Sequence, residues 1–171
     1  MKKLIIILLT VMVCGFGYAQ DKTKSRKEIR KEKEEARAEL TKALVNAKQF
    51  KFEGHWMYPL SGQRVSLIGN PNTLVVDNET STAQMPFIGT RQYSNAGPPG
   101  INFEGEITDY TMTFDEMKQS YEIKYKVDNK KDSFKVLLTI QRTGFARLII
   151  DSSKRTSISY DGQISKYSAK K

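Results

Sequence analysis

The spacing of apolar residues changes at Phe50, and this change most constrains what the chain can fold into. Before it, apolar residues recur every three or four positions, as on a helix; after it, apolar and polar residues alternate. The first alternating run divides into an apolar face of Phe50, Phe52, Gly54, Trp56 and Tyr58 and a polar face of Lys51, Glu53 and His55. The same alternation returns over residues 121–127 and 134–140. The polar residues indicate that one face of the sheet is exposed to solvent, and sheets with one solvent-exposed face are usually antiparallel.

Turn residues separate the alternating runs at distances typical of hairpins. The turns are marked by Asn70-Pro71-Asn72, Asp77-Asn78, Thr143-Gly144 and Asp161-Gly162. The runs predict roughly eight to ten short strands, with no helix long enough for a parallel crossover between them. The sequence therefore predicts a mainly β domain: an antiparallel, meander-like sheet curled into a lipocalin-like barrel or folded into a sandwich, with an N-terminal amphipathic helix. It leaves the choice between barrel and sandwich open.

Residues 20–48 are predicted to form that helix. They contain no proline or glycine and are rich in Lys, Arg, Glu and Ala, which favour helices. The second half carries an apolar stripe formed by Ala36, Leu40, Ala43, Leu44 and Ala47. We expect this half to dock on the β domain and the first half to be a solvated, charged arm.

The N-terminus has the layout of a secretory signal peptide. Lys2 and Lys3 precede an apolar run over residues 4–13, and small residues stand before a cleavage site after Ala19. We expect a periplasmic or otherwise exported protein. The alternative is a lipoprotein anchored at Cys14, although a small residue does not precede this cysteine.

The predicted organisation is a signal peptide at 1–19, a charged helix at 20–48, an antiparallel β domain at 49–165 and a basic C-terminal tail at 166–171. The formal net charge is +9. For an exported protein, such a charge predicts possible peripheral contact with an anionic membrane or glycan. Nucleic acid is not expected, because Lys124 and Lys126 point away from the aromatic face of their strand.

Few residues suit catalysis or metal binding. His55 is the single histidine, the single cysteine lies in the predicted signal peptide, and no Gly-x-Ser-x-Gly motif is present. We therefore predict no catalytic residue, no metal site and no cofactor. One alternative stays open: Glu104 and Glu106, two positions apart and followed by Asp109, would suit a carboxylate-dependent glycan hydrolase.

A long irregular segment over residues 85–102 interrupts the hairpins. Loops of this length in compact domains are often functional, and the opposing interpretation is a cover over one sheet end. The predicted ligand-binding residues are Phe87, Arg91, Tyr93 and Trp56. The expected ligand is a small apolar molecule inside the barrel or, alternatively, an envelope protein.

An ordered series of short motifs resembles one known family. The series comprises Met85-Pro86-Phe87-Ile88-Gly89, Gly100-Ile101-Asn102-Phe103, Gly144-Phe145-Ala146 and Ile158-Ser159-Tyr160-Asp161-Gly162. This order is similar to that of the domain of unknown function 4251 family. The resemblance implies an exported envelope protein of Gram-negative bacteria with one β domain, and it implies no catalytic residues. The chain departs from the family at Phe87, where a tyrosine is expected, so any role of its hydroxyl is lost.

The sequence thus predicts a non-catalytic exported envelope protein, most simply a ligand- or partner-binding β domain. The alternative is a structural envelope protein that acts through its charged N-terminal helix.

Overall fold

The computed structural model of the protein describes residues 25–60, 62–70, 72–90, 100–129 and 132–168. It is an antiparallel β-barrel with an N-terminal helix, so the predicted fold class is confirmed. The elements in chain order are α1 (Arg26–Asn46), β1 (Gln49–Tyr58), β2 (Val65–Ser66), β3 (Thr73–Asp77), β4 (Thr80–Met85), β5 (Ile101–Asp115), β6 (Ser120–Asn129), β7 (Asp132–Gln141), β8 (Phe145–Ser152) and β9 (Arg155–Ser165). The predicted signal peptide, including Cys14, lies outside the described residues.

Strand β1 closes the sheet into a barrel. It pairs with β3 along its first half and with β9 along most of its length, and all other neighbours follow chain order. Eight strands form the ring, while the two-residue β2 is added beside Met57 of β1. Over the body of the barrel, closure removes the exposed edges that an open sheet would present. The fold is therefore a barrel rather than a sandwich.

The alternation of side chains fills the barrel from within. In β6 and β7 the inward positions are those predicted: Tyr121, Ile123, Tyr125, Val127, Phe134, Val136, Leu138 and Ile140 are all buried. Phe50 and Phe52 of β1 and Tyr160 of β9 are completely inaccessible and join the same core. An eight-stranded barrel is just wide enough for side chains to fill its interior. Here aromatic and branched aliphatic residues do so.

The sequence predicted that Trp56 and Tyr58 share the apolar face of β1 with Phe50 and Phe52, and this prediction is wrong. A bulge lies between Gly54 and Trp56, where the register of β1 against β9 shifts by one residue. Because successive side chains alternate between faces, the extra residue reverses the pattern. Met57 becomes the buried residue, with 1% of its surface exposed, and Trp56 and Tyr58 turn to the outer wall, half-buried.

Helix α1 begins with a capping box. The Glu28 backbone amide donates to Ser25 Oγ at 3.3 Å, and the Ser25 amide donates to Glu28 Oε2 at 2.8 Å. None of the helices in the described part of the chain combines the length and apolar character that spanning a membrane requires.

The buried face of α1 differs from the predicted stripe. The buried residues are Ala38, Thr41, Leu44 and Val45, whereas Leu40 is 52% exposed. Of the predicted stripe only Leu44 is buried, and Ala38, Thr41 and Val45 occupy the other inward positions. Residues 26–37 are all exposed, as expected for the first half.

Candidate functional site

The structure separates the sequence-predicted binding residues. Arg91 and Tyr93 lie outside the described residues. Phe87 follows β4 at one end of the barrel, packs against the core, and lines a depression of about 360 Å³ together with Gln84 and Asn102. Its backbone neighbour Pro86 is held by the Tyr160 hydroxyl, which donates to the Pro86 carbonyl at 2.6 Å. Trp56 lines a different depression.

The Trp56 depression is a concave surface on the outside of the barrel. It measures about 540 Å³ and opens on the outer wall of β1, β7, β8 and β9. We name the side chains that form and flank it the Trp56 wall: Trp56, Tyr58, Arg64, Phe145, Arg147 and Asp161. His55 and Gln141 also line it.

An ion pair between Arg147 and Asp161 lies within the Trp56 wall. Arg147 binds Asp161 with two parallel hydrogen bonds, Nε to Oδ1 at 2.7 Å and Nη2 to Oδ2 at 2.9 Å. The two residues are direct cross-strand partners of β8 and β9, so the sheet itself sets this geometry. The bond from Arg147 lowers the pKa of Asp161, and the Tyr58 hydroxyl adds a second hydrogen bond that also lowers it. In return, Asp161 raises the pKa of Arg147. Both groups stay charged at neutral pH.

Two arginines lie over aromatic rings of the wall. The Arg64 guanidinium carbon is 4.3 Å from the centre of the Trp56 ring, a cation–π distance, and the Arg147 carbon is 5.6 Å from that of Tyr58. Phe145 begins β8 on the outer face and is 50% exposed. The wall thus offers aromatic surface next to positive charge.

The acidic residues proposed for glycan hydrolysis lie on another strand. Glu104 and Glu106 are exposed on β5, on the face away from the core. Asp109 accepts a hydrogen bond from Lys126 Nζ at 2.6 Å. Among the described residues, no group of three or more His, Cys, Asp or Glu side chains is arranged to hold a metal ion. Among the residues that line the Trp56 depression, Arg147 and Asp161 form an ion pair.

Sequence reasoning found Trp56 and missed its neighbours on the wall. Arg64 lies in the connection beside β2, and Arg147 and Asp161 meet only through the pairing of β8 with β9. One signal was present in the sequence: Phe145 occupies the outward register of β8, because Ala146, Leu148 and Ile150 are the buried alternates. An aromatic residue in an outward register adds apolar area to the outer surface, and here it lies beside Trp56 in the same depression.

Comparison with known proteins gives the family and a structural neighbour. The model of the family described as Domain of unknown function (DUF4251) matches residues 31–164. A crystal structure of a DUF4251 family protein from Bacteroides eggerthii is similar, with a TM-score of 0.63 and 18% sequence identity over 77% of this chain and 88% of that chain. At this identity the likeness shows the fold. A comparison with curated proteins finds no significant match. Since the family model matches well over half of the chain, the protein belongs to the DUF4251 family.

Proposed function

We propose that this protein is a non-catalytic binding protein of the cell envelope and that its Trp56 wall binds another protein. The observation that carries the proposal is the contrast between the two faces of the sheet. The inner face is filled by its own side chains, whereas the outer face presents a half-exposed cluster of aromatic rings and guanidinium groups.

The filled interior is our reason to prefer a protein partner over a small apolar ligand. Small-molecule sites generally bury most of their ligand in a concave cavity. The interior positions of this barrel are taken by large residues such as Phe50, Phe52 and Tyr160. The Trp56 depression is instead an open, shallow surface on the outer wall.

The composition of the Trp56 wall supports the same choice. Trp, Tyr and Arg are the residue types most often found at binding hot spots between proteins. Trp56 and Tyr58 of β1 and Arg64, in the connection before β2, bring these types together. The two hydrogen bonds between Arg147 and Asp161 already hold these side chains in place, so these two residues lose little conformational entropy when a partner binds. The charge at Arg64 favours a partner with an acidic or polar contact surface.

Location in the envelope is part of the proposal. It is supported by the predicted signal peptide that ends at Ala19 and by the family resemblance described above. Cleavage after Ala19 and acylation at Cys14 give different masses for the exported protein, so its intact mass distinguishes the two routes.

Site-specific photo-cross-linking in living cells tests the proposal. A photoreactive phenylalanine analogue replaces Phe145 in one variant and Glu104, on the exposed face of β5, in the control. We expect the Phe145 variant to give a discrete cross-linked protein species that the control does not give. Adding Trp56→Ala should weaken that species severalfold. Equal cross-linking at both positions, or a lipid as the only molecule attached, would contradict the proposal.

A second candidate function rests on the exposed arm. Because residues 26–37 are all exposed and highly charged, the arm itself is available to contact an anionic membrane or another protein. This is the structural role that the sequence left open. The arm deletion described in the Discussion tests it.

A further inference from the structure

The β5–β6 hairpin extends past the strand that flanks it. Strand β5 pairs with β4 only as far as Glu106, whereas its pairing with β6 continues to Asp115. On the β4 side, the Ile107 amide still donates to the Glu79 carbonyl at 2.7 Å. Beyond it, residues 108–115 have no partner strand on this side among the described strands. We name residues 108–115 the open edge.

Sheet edges are commonly guarded by charged residues, proline or β-bulges. The open edge has a bulge near its start, between Thr108 and Thr111, where Asp109 has a positive φ of 53°; beyond this bulge the strand pairs regularly with β6. Here the central five residues, Tyr110-Thr111-Met112-Thr113-Phe114, contain no charge, proline or glycine, and all five favour extended structure or tolerate it. The charges stand only at the two ends: Asp109 is paired with Lys126, and Asp115 with Lys118. Between them the strand itself carries no charge, and Lys48 Nζ lies over the Tyr110 ring, 4.2 Å from its centre.

A groove lined by both apolar and polar side chains runs beside the open edge. It measures about 460 Å³ and lies between the second half of α1, at Ala38 and Lys42, and the hairpin residues Met112, Phe114 and Tyr121. Met112 and Phe114 are 40% and 42% exposed, and the Phe114 ring contacts Tyr121 at 4.7 Å between ring centres. A strand added to an edge directs alternate side chains to one face. On this hairpin that face is the groove.

The charges at the rim of the groove complement an acidic segment. Lys42 and Arg142 line it, against the single acidic residue Glu39. Arg142 is held in place by donating to Gln119 Oε1 at 3.0 Å. A bound segment that carries carboxylates would therefore gain from the rim.

We propose that the open edge binds an extended segment of a partner protein by strand addition. The segment's main chain pairs with β5, its alternate apolar side chains enter the groove, and its carboxylates face Lys42 and Arg142. This surface shares no lining residue with the Trp56 depression: it is formed by α1, the β5–β6 hairpin and Arg142, which follows β7. The proposal therefore stands or falls independently of the proposed function.

Amide hydrogen exchange with a defined peptide tests the proposal. The probe is a capped peptide of ten residues in which valine alternates with threonine and a glutamate stands at each end. A matched peptide, methylated at every backbone nitrogen, cannot donate to a strand. We expect the first peptide, at about 1 mM, to slow exchange in the open edge by about tenfold, and the methylated peptide to have no effect.

Two charge-matched variants locate the binding surface. Met112→Lys places a cation at the groove and should weaken the peptide about tenfold, because a charge at an apolar contact must be desolvated. Ile68→Lys adds the same charge at a residue that is 86% exposed and absent from the groove, and binding should be unchanged. Neither side chain is buried, so both variants should fold.

Three results would overturn the proposal. The first is unchanged exchange of the open edge with the unmethylated peptide, and the second is equal protection by both peptides. The third is an edge already protected without peptide, together with a dimer that forms in sedimentation as protein concentration rises. That result would assign the edge to a second copy of this chain instead.

Discussion

At the scale of single residues, Asp132 and Arg155 form the most buried ion pair in the described part of the chain. Their side chains are 5% and 4% exposed, and Arg155 Nη1 donates to Asp132 Oδ2. The same carboxylate accepts hydrogen bonds from Ser152 Oγ at 2.7 Å and Ser153 Oγ at 2.8 Å. The cluster joins the start of β7 to the turn between β8 and β9. Removing the cation from such a buried pair is strongly destabilising, because it leaves a buried charge without compensation.

We expect Arg155→Met to lower the free energy of unfolding by about 3–5 kcal/mol, because the Asp132 carboxylate would stay buried without its cation. Urea denaturation measures the change. Glu122→Gln, which removes an exposed pair with Lys124, should shift the midpoint little and serves as control. If Arg155→Met lowers the free energy of unfolding no more than the control does, the ion pair does not hold the start of β7 to the turn between β8 and β9.

At the scale of elements, the contact between β1 and β9 decides both barrel closure and the outer wall. Gly162 lies against Glu53 so closely that a Cβ built on it would be 2.0 Å from the Glu53 carbonyl oxygen. The bulge in β1 follows directly, between Gly54 and Trp56. Glycine at this position therefore allows the two strands to meet, and the bulge turns Trp56 outward.

Gly162→Ala should separate β1 from β9 and cost more than about 2 kcal/mol, since backbone atoms must move to admit the methyl group. Thermal unfolding measures this loss. Gly62→Ala is the matched control, because a Cβ there would meet no atom within 4 Å. If both variants melt at the same temperature, the close approach of β1 and β9 does not limit stability.

At the scale of the whole molecule, the chain divides into a compact unit of Glu34–Lys171 and the segment that precedes it. Within the compact unit, α1 contributes the buried Leu44 and Val45, with 8% and 0% of their surface exposed. Residues 26–33 of the helix bury no side chain. The stability of the barrel should therefore depend on the end of the helix and not on its beginning.

Deleting residues 25–33, the first part of the exposed arm, should change the melting temperature by no more than about 2 °C, because none of these residues is buried. The double variant Leu44→Ala/Val45→Ala should lower it clearly, since buried aliphatic side chains are truncated. Differential scanning calorimetry compares the two. If the arm acts on a membrane or partner, the deletion variant will fold normally and yet lose its place in the envelope; unchanged localisation would contradict the second candidate function.

Local chemistry was enough to predict much of this fold. In β6 and β7, apolar and polar residues alternate along the strand. The sequence of each strand is therefore enough to predict which of its side chains are buried. The sequence also predicted the solvated first half of α1, because charged residues without an apolar stripe have nothing to bury.

The candidate site required tertiary structure, because its geometry depends on strands far apart in the chain. Glu53 and Gly162 meet only when the barrel closes, and that contact accompanies the bulge that reverses the face of Trp56. Likewise, Arg147 finds Asp161 only through strand register. The sequence by itself determined that the strands have one apolar face. Only the tertiary structure determined that Trp56 faces outward, because the bulge in β1 lies where β1 pairs with the distant β9.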